Sequence, residues 1–323
     1  MTHQTMSYLD KDAVKHITCI GAGVIGSGWV AYFLARGYSV TAYDIDADAL
    51  ARLLGRVRDA WPLLERQGVA HGASIDRITL TTDLSQALAA ADFVQESVPE
   101  RLDLKRQVLK RIDEATPSHV IVASSTSGIS MTDMAQDTTG ADRFVIGHPF
   151  NPPYLVPLVE VVGGKRSAPA AVRWAAEFYE NTGKTAVTMN EEVPGFIANR
   201  LQEALWREAL YMVQAGEATV SQIDNAITAG PGLRWAAIGP FLTAHLAGGR
   251  DGIAGSMHRY GPEAKINWTR LQSPAYTEDL INLVAQQCED AIAGEDIDTL
   301  IRLRDQALLD HLQAQHTNTI SDP

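Results

Sequence analysis

HITCIGAGVIGSGWVAYFLARGYSVTAYD, residues 16–44, is the stretch that decides the fold. Apolar Ile17, Cys19 and Ile20 lead into Gly21, Gly23 and Gly26. A helical pattern follows (Val24, Ile25, Trp29, Val30, Phe33, Leu34) and stops at Gly37. A second apolar run, 40–43, ends on Asp44. The order is strand, glycine turn, helix, strand, acid, which is the fingerprint of a dinucleotide-binding unit. Gly21 permits the tight turn, Gly23 lets a pyrophosphate reach the backbone, and Gly26 lets the helix pack on the strand. The free N–H groups of Val24 and Ile25 at the helix start face the phosphates. Asp44 lies about 20 residues beyond the glycines, where an acid accepts from the ribose hydroxyls. A carboxylate there repels a 2′-phosphate, and Ile45 and Asp46 bring no Arg beside it. The expected cofactor is therefore NAD rather than NADP.

Working outward, 323 residues suggest two domains. The hydrophobic fraction, 46%, is enough for a sizeable core. A net charge of −12 argues against nucleic acid as a partner. The two cysteines, Cys19 and Cys288, have no metal-ligand spacing and imply no disulfide framework. No metal site is expected. Residues 1–15 read as a polar leader without the apolar core of a signal peptide, and no run is long enough to span a membrane. The expectation is a soluble cytoplasmic protein.

Strand-like and helical segments alternate from 16 to about 189. Strands are expected at 78–82, 91–97, 120–123, 144–147, 158–162 and 186–189. Helices are expected at 47–67, 84–91, 102–115, 129–135 and 169–182, with Pro62 bending or restarting the first of them. Such alternation predicts an α/β fold with a Rossmann-type, doubly wound, mainly parallel sheet. The pattern changes at Glu191-Glu192-Val193-Pro194-Gly195. Beyond it only helical segments are read, at 196–215, 220–228, 238–247, 278–293 and 297–313. The predicted organisation is a dinucleotide-binding domain over 1–192 and an all-helical domain over 193–323 that binds substrate and dimerises.

Dehydrogenation of an alcohol needs a group that takes a proton as the hydride leaves, and histidine suits that at neutral pH. Of nine histidines, eight fall in terminal, polar or helical segments or, for His16, just before the first strand. His148 alone ends a strand, 144–147, where open α/β sheets place their ligands. It precedes the rigid run Pro149-Phe150-Asn151-Pro152-Pro153. Glu160 sits within an apolar run, LVEVV, where an unpaired charge is costly. Ser127 is readable either as a helix cap before Ile129 or as a functional hydroxyl. Asn199, read as mid-helix, is unfavourable there by propensity.

GHPFNPPYLVPLVEVVGG (147–164), SSTSGIS (124–130) and EVPGFIANRL (192–201) resemble three motifs of the 3-hydroxyacyl-CoA dehydrogenases, in that family's order and spacing. The resemblance runs from about residue 15 to about residue 312. It implies that His148 is the general base and Glu160 the acid paired with it. It implies that Ser127 holds the substrate oxygen and that Asn199 orients the same group from the second domain, with the site in the cleft between domains. It places Glu96, Glu100 and Lys105 along the cofactor, although by themselves these three read equally as solvated charges. One position departs from the family: Pro149 stands where Phe is usual, restricting the backbone beside His148.

Further segments (60–68, 91–105, 196–210, 232–249) resemble a branch of that family acting on a free, carnitine-like 3-hydroxy acid. The alternatives are a 3-hydroxyacyl-CoA, L-gulonate, and a non-catalytic, crystallin-like NAD-binding protein. A coenzyme A ligand calls for a basic patch, and Arg52, Arg56, Arg58, Arg66 and Arg77 are interleaved with acids. A trimethylammonium calls for aromatic faces and a nearby carboxylate. Asn199, Glu203 and Trp206 share one helix face at i, i+4 and i+7, and Trp235 is a further candidate. By resemblance, a homodimer is expected.

Overall fold

The computed structural model describes residues 8–261, 268–269, 277–292, 294–297, 299–300, 303 and 310. Its strands are β1 (His16–Ile20), β2 (Ser39–Tyr43), β3 (Ile78–Thr81), β4 (Phe93–Glu96), β5 (Ile121–Ser124), β6 (Phe144–Pro149), β7 (Leu158–Gly163) and β8 (Thr185–Met189). They form one sheet in the order β3-β2-β1-β4-β5-β6-β7-β8. Every neighbouring pair is parallel except β6 with β7. The chain runs outward from β1 in both directions, so the strand order reverses between β1 and β4. Doubly wound sheets take up their ligands at that point.

The helices over this sheet are α1 (Val24–Ala35), α2 (Ala47–Gln67), α3 (Leu84–Leu88), α4 (Leu102–Ala115), α5 (Met131–Met134) and α6 (Pro169–Asn181). Because both faces are covered, β4 and β5 are buried along their whole length and read as short, continuous runs rather than alternations. One core packs Trp29, Phe33, Phe93, Trp174, Phe178 and Tyr179, and the other packs Leu109, Ile112, Met131, Met134, Phe144 and Val162. The helix does not restart at Pro62: α2 is one helix from Ala47 to Gln67. Pro62 and Arg58, whose carbonyl loses its partner, are both exposed, so water serves that carbonyl.

The chain divides into two units, Met1–Arg200 and Leu201–Pro323. The Ile197 and Ala198 N–H groups are hydrogen-bonded to Glu160 of β7, so the segment before Arg200 goes with the first unit. The second unit is helical among its described residues. Its helices include most of α7 (Ala198–Gln214), then α8 (Val220–Thr228), α9 (Pro231–Ala247), α10 (Gly252–Arg259) and α11 (Glu278–Ile292). Thr219 caps α8 in a reciprocal box with Gln222. α9 starts earlier than the expected 238, with Pro231 in its first turn, and is interrupted at Gly239, whose φ of 70° and ψ of 170° leave the helical region. α10 was not expected: four glycines between 248 and 255 masked it. The helix expected at 297–313 lies mainly outside the described residues. Among the described residues no helix is long and apolar enough to cross a membrane.

Candidate active site

The turn after β1 carries the features a dinucleotide needs. Gly21 has φ +100°, and a Cβ on it would lie 2.6 Å from the Ser97 carbonyl oxygen. A Cβ on Gly26 would lie 1.9 Å from the Gly21 oxygen, so helix and turn meet with no room for a side chain. At Gly23 a Cβ meets nothing within 4 Å. The open side there is the side a diphosphate approaches. Val24 and Ile25 open α1, where N–H groups lack intrahelical acceptors and the positive end of the dipole lies. Asp44 ends this arrangement at the tip of β2. Its Oδ2 accepts from Ala22 N at 2.8 Å and its Oδ1 from Asp46 N at 3.0 Å. The residues present thus fit NAD: glycine backbone for the diphosphate, a fixed carboxylate for the ribose.

The proton-transfer pair follows from strand direction. β6 and β7 run antiparallel, and in their register His148 stands opposite Glu160. Directly opposed residues project to the same face. His148 Nδ1 and Glu160 Oε2 are 2.8 Å apart, and both side chains are nearly inaccessible. The second oxygen, Oε1, accepts from the N–H groups of Ile197 and Ala198, each at 2.9 Å. Those N–H groups belong to the start of α7, and two residues in the left-handed region aim them: Gly195 (φ 75°) and Phe196 (φ 53°). Phe196 is a non-glycine residue in a costly conformation, of the kind that clusters at functional sites. Burial raises the pKa of Glu160, but the His148 hydrogen bond and the N–H groups of Ala198 and Ile197 outweigh it and hold the group below its ordinary value. An ionised carboxylate only accepts, so Nδ1 donates to it, and in the neutral imidazole the lone pair is on Nε2. The rings of Phe150 and Phe196 flank the imidazole at 5.2 and 5.3 Å. Pro149 is accommodated as the last residue of β6, opposite Val159.

Ser127 is not a helix cap. Ser130 caps α5, accepting from Asp133 N, which leaves the exposed Ser127 hydroxyl unengaged among the described residues. Asn199 Nδ2 donates to Ser127 O at 3.3 Å, which brings the two residues together. Asn199 is also not mid-helix: α7 begins at Ala198, so Asn199 sits in the first turn, and the propensity argument for it lapses.

Glu96 and Lys105 are not solvated charges. Lys105 Nζ lies 2.9 and 3.1 Å from the two Glu96 oxygens, and both side chains are fully buried. Ser124 Oγ and Val98 N donate to the same carboxylate. Lys105 also lies 3.5 Å from Glu100. Glu100 in turn accepts from Thr126 Oγ1 (2.6 Å), Ser127 N (3.0 Å) and Gly128 N (3.1 Å). Desolvation raises the pKa of Glu100, but the Thr126 hydrogen bond, Lys105 and the Ser127 and Gly128 N–H groups lower it further. The three charges therefore shape the 126–128 turn that presents Ser127. Glu203 is exposed and bound to Arg207 at 2.8 Å, and Trp206 and Trp235 are exposed at 58% and 42%. Sequence reasoning missed the work of the Gly195-Phe196 turn, although the Pro-Gly pair at 194–195 signals one.

A dinucleotide turn closed by an acid, together with a histidine–carboxylate pair at the carboxyl edge of the same sheet, defines an NAD-dependent dehydrogenase of CH–OH groups. The chain belongs to the 3-hydroxyacyl-CoA dehydrogenase family: its NAD binding domain matches residues 16–193 and its C-terminal domain residues 195–283. An L-carnitine dehydrogenase of Streptomyces coelicolor is 58% identical over 301 residues, 93% of this chain and 95% of that protein. An L-carnitine dehydrogenase of Bacillus cereus is 44% identical over 310 residues, 96% of this chain and 95% of that protein. Among solved structures, 5-formyl-3-hydroxy-2-methylpyridine 4-carboxylic acid 5-dehydrogenase, described as an NAD+ dependent dismutase, is 26% identical. It aligns with a TM-score of 0.73 over 90% of this chain and 99% of that one.

Proposed function

We propose that this protein oxidises the 3-hydroxyl of L-carnitine to the ketone, giving 3-dehydrocarnitine, with NAD as the oxidant. The observation that carries the reading is the His148–Glu160 pair, set on an NAD fold in a chain 58% identical to a protein named for that substrate. Bound NAD supplies the hydride acceptor. His148 Nε2 takes the hydroxyl proton, and Glu160 stabilises the imidazolium that results. Asn199 and Ser127, linked through the Ser127 carbonyl, hold the substrate oxygen. Gly21, Gly23, Val24, Ile25, Gly26 and Asp44 hold the cofactor, with Glu100 and Lys105 shaping the turn beside it. The intact pair argues against a non-catalytic, crystallin-like role.

We read the protein as a cytoplasmic homodimer. No residue of α7 is buried within the single chain, although Leu201, Leu205, Trp206, Leu210 and Tyr211 are all apolar or aromatic. Exposed apolar surface of that extent marks a contact with another chain. Glu203, Trp206 and Trp235 are one candidate wall for the trimethylammonium, but Trp206 is also claimed by the dimer face and Glu203 by Arg207.

The test is NADH formation with L-carnitine, D-carnitine, 3-hydroxybutyrate, L-gulonate and a 3-hydroxyacyl-CoA side by side. L-carnitine is expected to give the highest kcat/KM. A higher value for the CoA thioester or for L-gulonate would overturn the substrate assignment and leave the dehydrogenase chemistry standing.

A further inference from the structure

Between the dinucleotide turn and the base, side chains form a hydrogen-bond chain that crosses the carboxyl edge of the sheet. Gln95, in β4, is fully buried. Its Nε2 lies 2.9 Å from Ser125 Oγ and 3.4 Å from the carbonyl oxygen of Gly147, the residue before His148. Its Oε1 faces the Tyr179 hydroxyl at 2.5 Å. Trp29 Nε1 donates to the same Ser125 Oγ at 3.2 Å. Ser125 Oγ and Ser97 Oγ are 2.8 Å apart. Ser97 follows β4 directly, and its N–H donates to Ile20 O at the end of β1. It therefore stands beside the glycine turn, where the strand order reverses.

The chemistry of the groups forces the direction of each hydrogen. A carbonyl only accepts, so the Gly147 oxygen fixes which end of Gln95 is the NH2. The other end is then the amide oxygen, and Tyr179 donates to it. An indole N–H only donates. Ser125 Oγ thus receives one hydrogen from Trp29 and one from Gln95, which fills both its lone pairs. Its own hydrogen goes to Ser97 Oγ, the remaining partner. Ser97 Oγ accepts, so it cannot turn its hydrogen back along the chain. Among the described residues that hydrogen has no other acceptor. The half-buried Ser97 hydroxyl is left with one hydrogen and one lone pair for a partner outside the chain.

We infer that Ser97 binds the nicotinamide ribose of NAD, with its hydroxyl oriented by Trp29, Ser125 and Gln95. Strand order selects this part of the cofactor. Along the carboxyl edge come Asp44 after β2, the glycine turn after β1, Ser97 after β4, Ser125 after β5 and His148 near the end of β6. A dinucleotide with its adenosine ribose on Asp44 and its diphosphate on the turn brings its second ribose over β4. The nicotinamide then lies toward His148. A ribose hydroxyl both donates and accepts, which matches what Ser97 has left. A phosphate only accepts and would leave the Ser97 lone pair unanswered. All this needs NAD, which the family's NAD binding domain supplies a place for, but no particular substrate.

Calorimetry with NAD, ADP-ribose and ADP tests it. ADP-ribose keeps the second ribose without the nicotinamide, and ADP lacks both. Ser97→Ala in the full chain is expected to raise Kd for NAD and for ADP-ribose about fivefold, the worth of one neutral hydrogen bond. Kd for ADP should stay unchanged, which also shows the turn intact. Ser97→Cys, a weak donor of similar shape, is expected to follow Ser97→Ala. Trp29→Phe frees a lone pair on Ser125, so the Ser97 hydrogen has two directions open to it. About half the population then faces the cofactor, and Kd for NAD should rise about twofold with ADP unchanged. Wild-type NAD affinity in either Ser97 variant overturns the inference. So does an equal loss for all three ligands, which puts Ser97 on the diphosphate, or a loss for NAD alone, which puts it on the nicotinamide ring. Full NAD affinity in Trp29→Phe overturns the orienting chain.

Discussion

Glu160→Gln changes one oxygen of the buried pair to an amide nitrogen, and the surroundings dictate which one. Oε1 accepts two N–H groups, from Ile197 and Ala198, while Oε2 faces His148 Nδ1. Turning the new NH2 toward two N–H donors would leave buried donors unpaired, at about 1–3 kcal/mol each. The amide oxygen therefore stays with α7, and the NH2 faces His148. An NH2 only donates, so Nδ1 must become the acceptor and the imidazole hydrogen moves to Nε2. The atom that should receive the substrate proton is then already protonated. The expected loss is that of general base catalysis, about 10²–10⁴ in kcat, or about 2.7–5.4 kcal/mol of barrier. Stability moves separately. Since Glu160 is held below its ordinary pKa, its contribution is complete above the unfolded carboxylate value of about 4.3 and is lost as pH falls through the lower folded value. Urea unfolding should thus show the variant less stable than wild type at neutral pH, with the gap closing in acid. The assay is the kcat of NADH formation with L-carnitine, alongside Kd for NAD. A variant with near-normal kcat and intact NAD binding would refute the tautomer argument.

Three further outcomes follow from the same geometry. Gly26→Ala forces a Cβ to within 1.9 Å of the Gly21 oxygen, and Kd for NAD by titration should rise about tenfold or more as the turn shifts; unchanged affinity would contradict the turn's placement. Asp44→Ala combined with Ile45→Arg should narrow or reverse the preference for NAD over NADP in kcat/KM, whereas a wild type that uses both equally would remove Asp44 from the ribose. Leu210→Asp places a charge on the exposed face of α7, and sedimentation should show a monomer where the wild type sediments as a dimer; a wild type that is monomeric at micromolar concentration would sink the dimer.

Much of this was legible in residues 16–44, because a dinucleotide turn constrains each glycine for a separate steric reason. The chemical pair was partly legible. His148 ended a strand and Glu160 sat in an apolar run, but their contact depends on β7 running antiparallel, and apolar runs carry no direction. Asn199 was misread as mid-helix because the helical pattern continues upstream through Phe196 and Ile197, which the structure gives to a turn. Glu96 and Lys105 looked like surface charges, since nine residues of separation say nothing about a fully buried pair between β4 and α4. Ser97 and Ser125 carried no mark of their own. Their place in one hydrogen-bond chain with Gln95 needs β4, β5 and β6 side by side, a tertiary fact without a local signal.

The most direct test is NADH formation from L-carnitine by the wild type and by His148→Gln, with NAD binding measured in both. The wild type is expected to turn over L-carnitine in preference to D-carnitine. The variant should bind NAD as the wild type does and react about 10²–10⁴ more slowly. A wild type silent toward L-carnitine, or a His148→Gln enzyme that keeps its rate, would contradict the account.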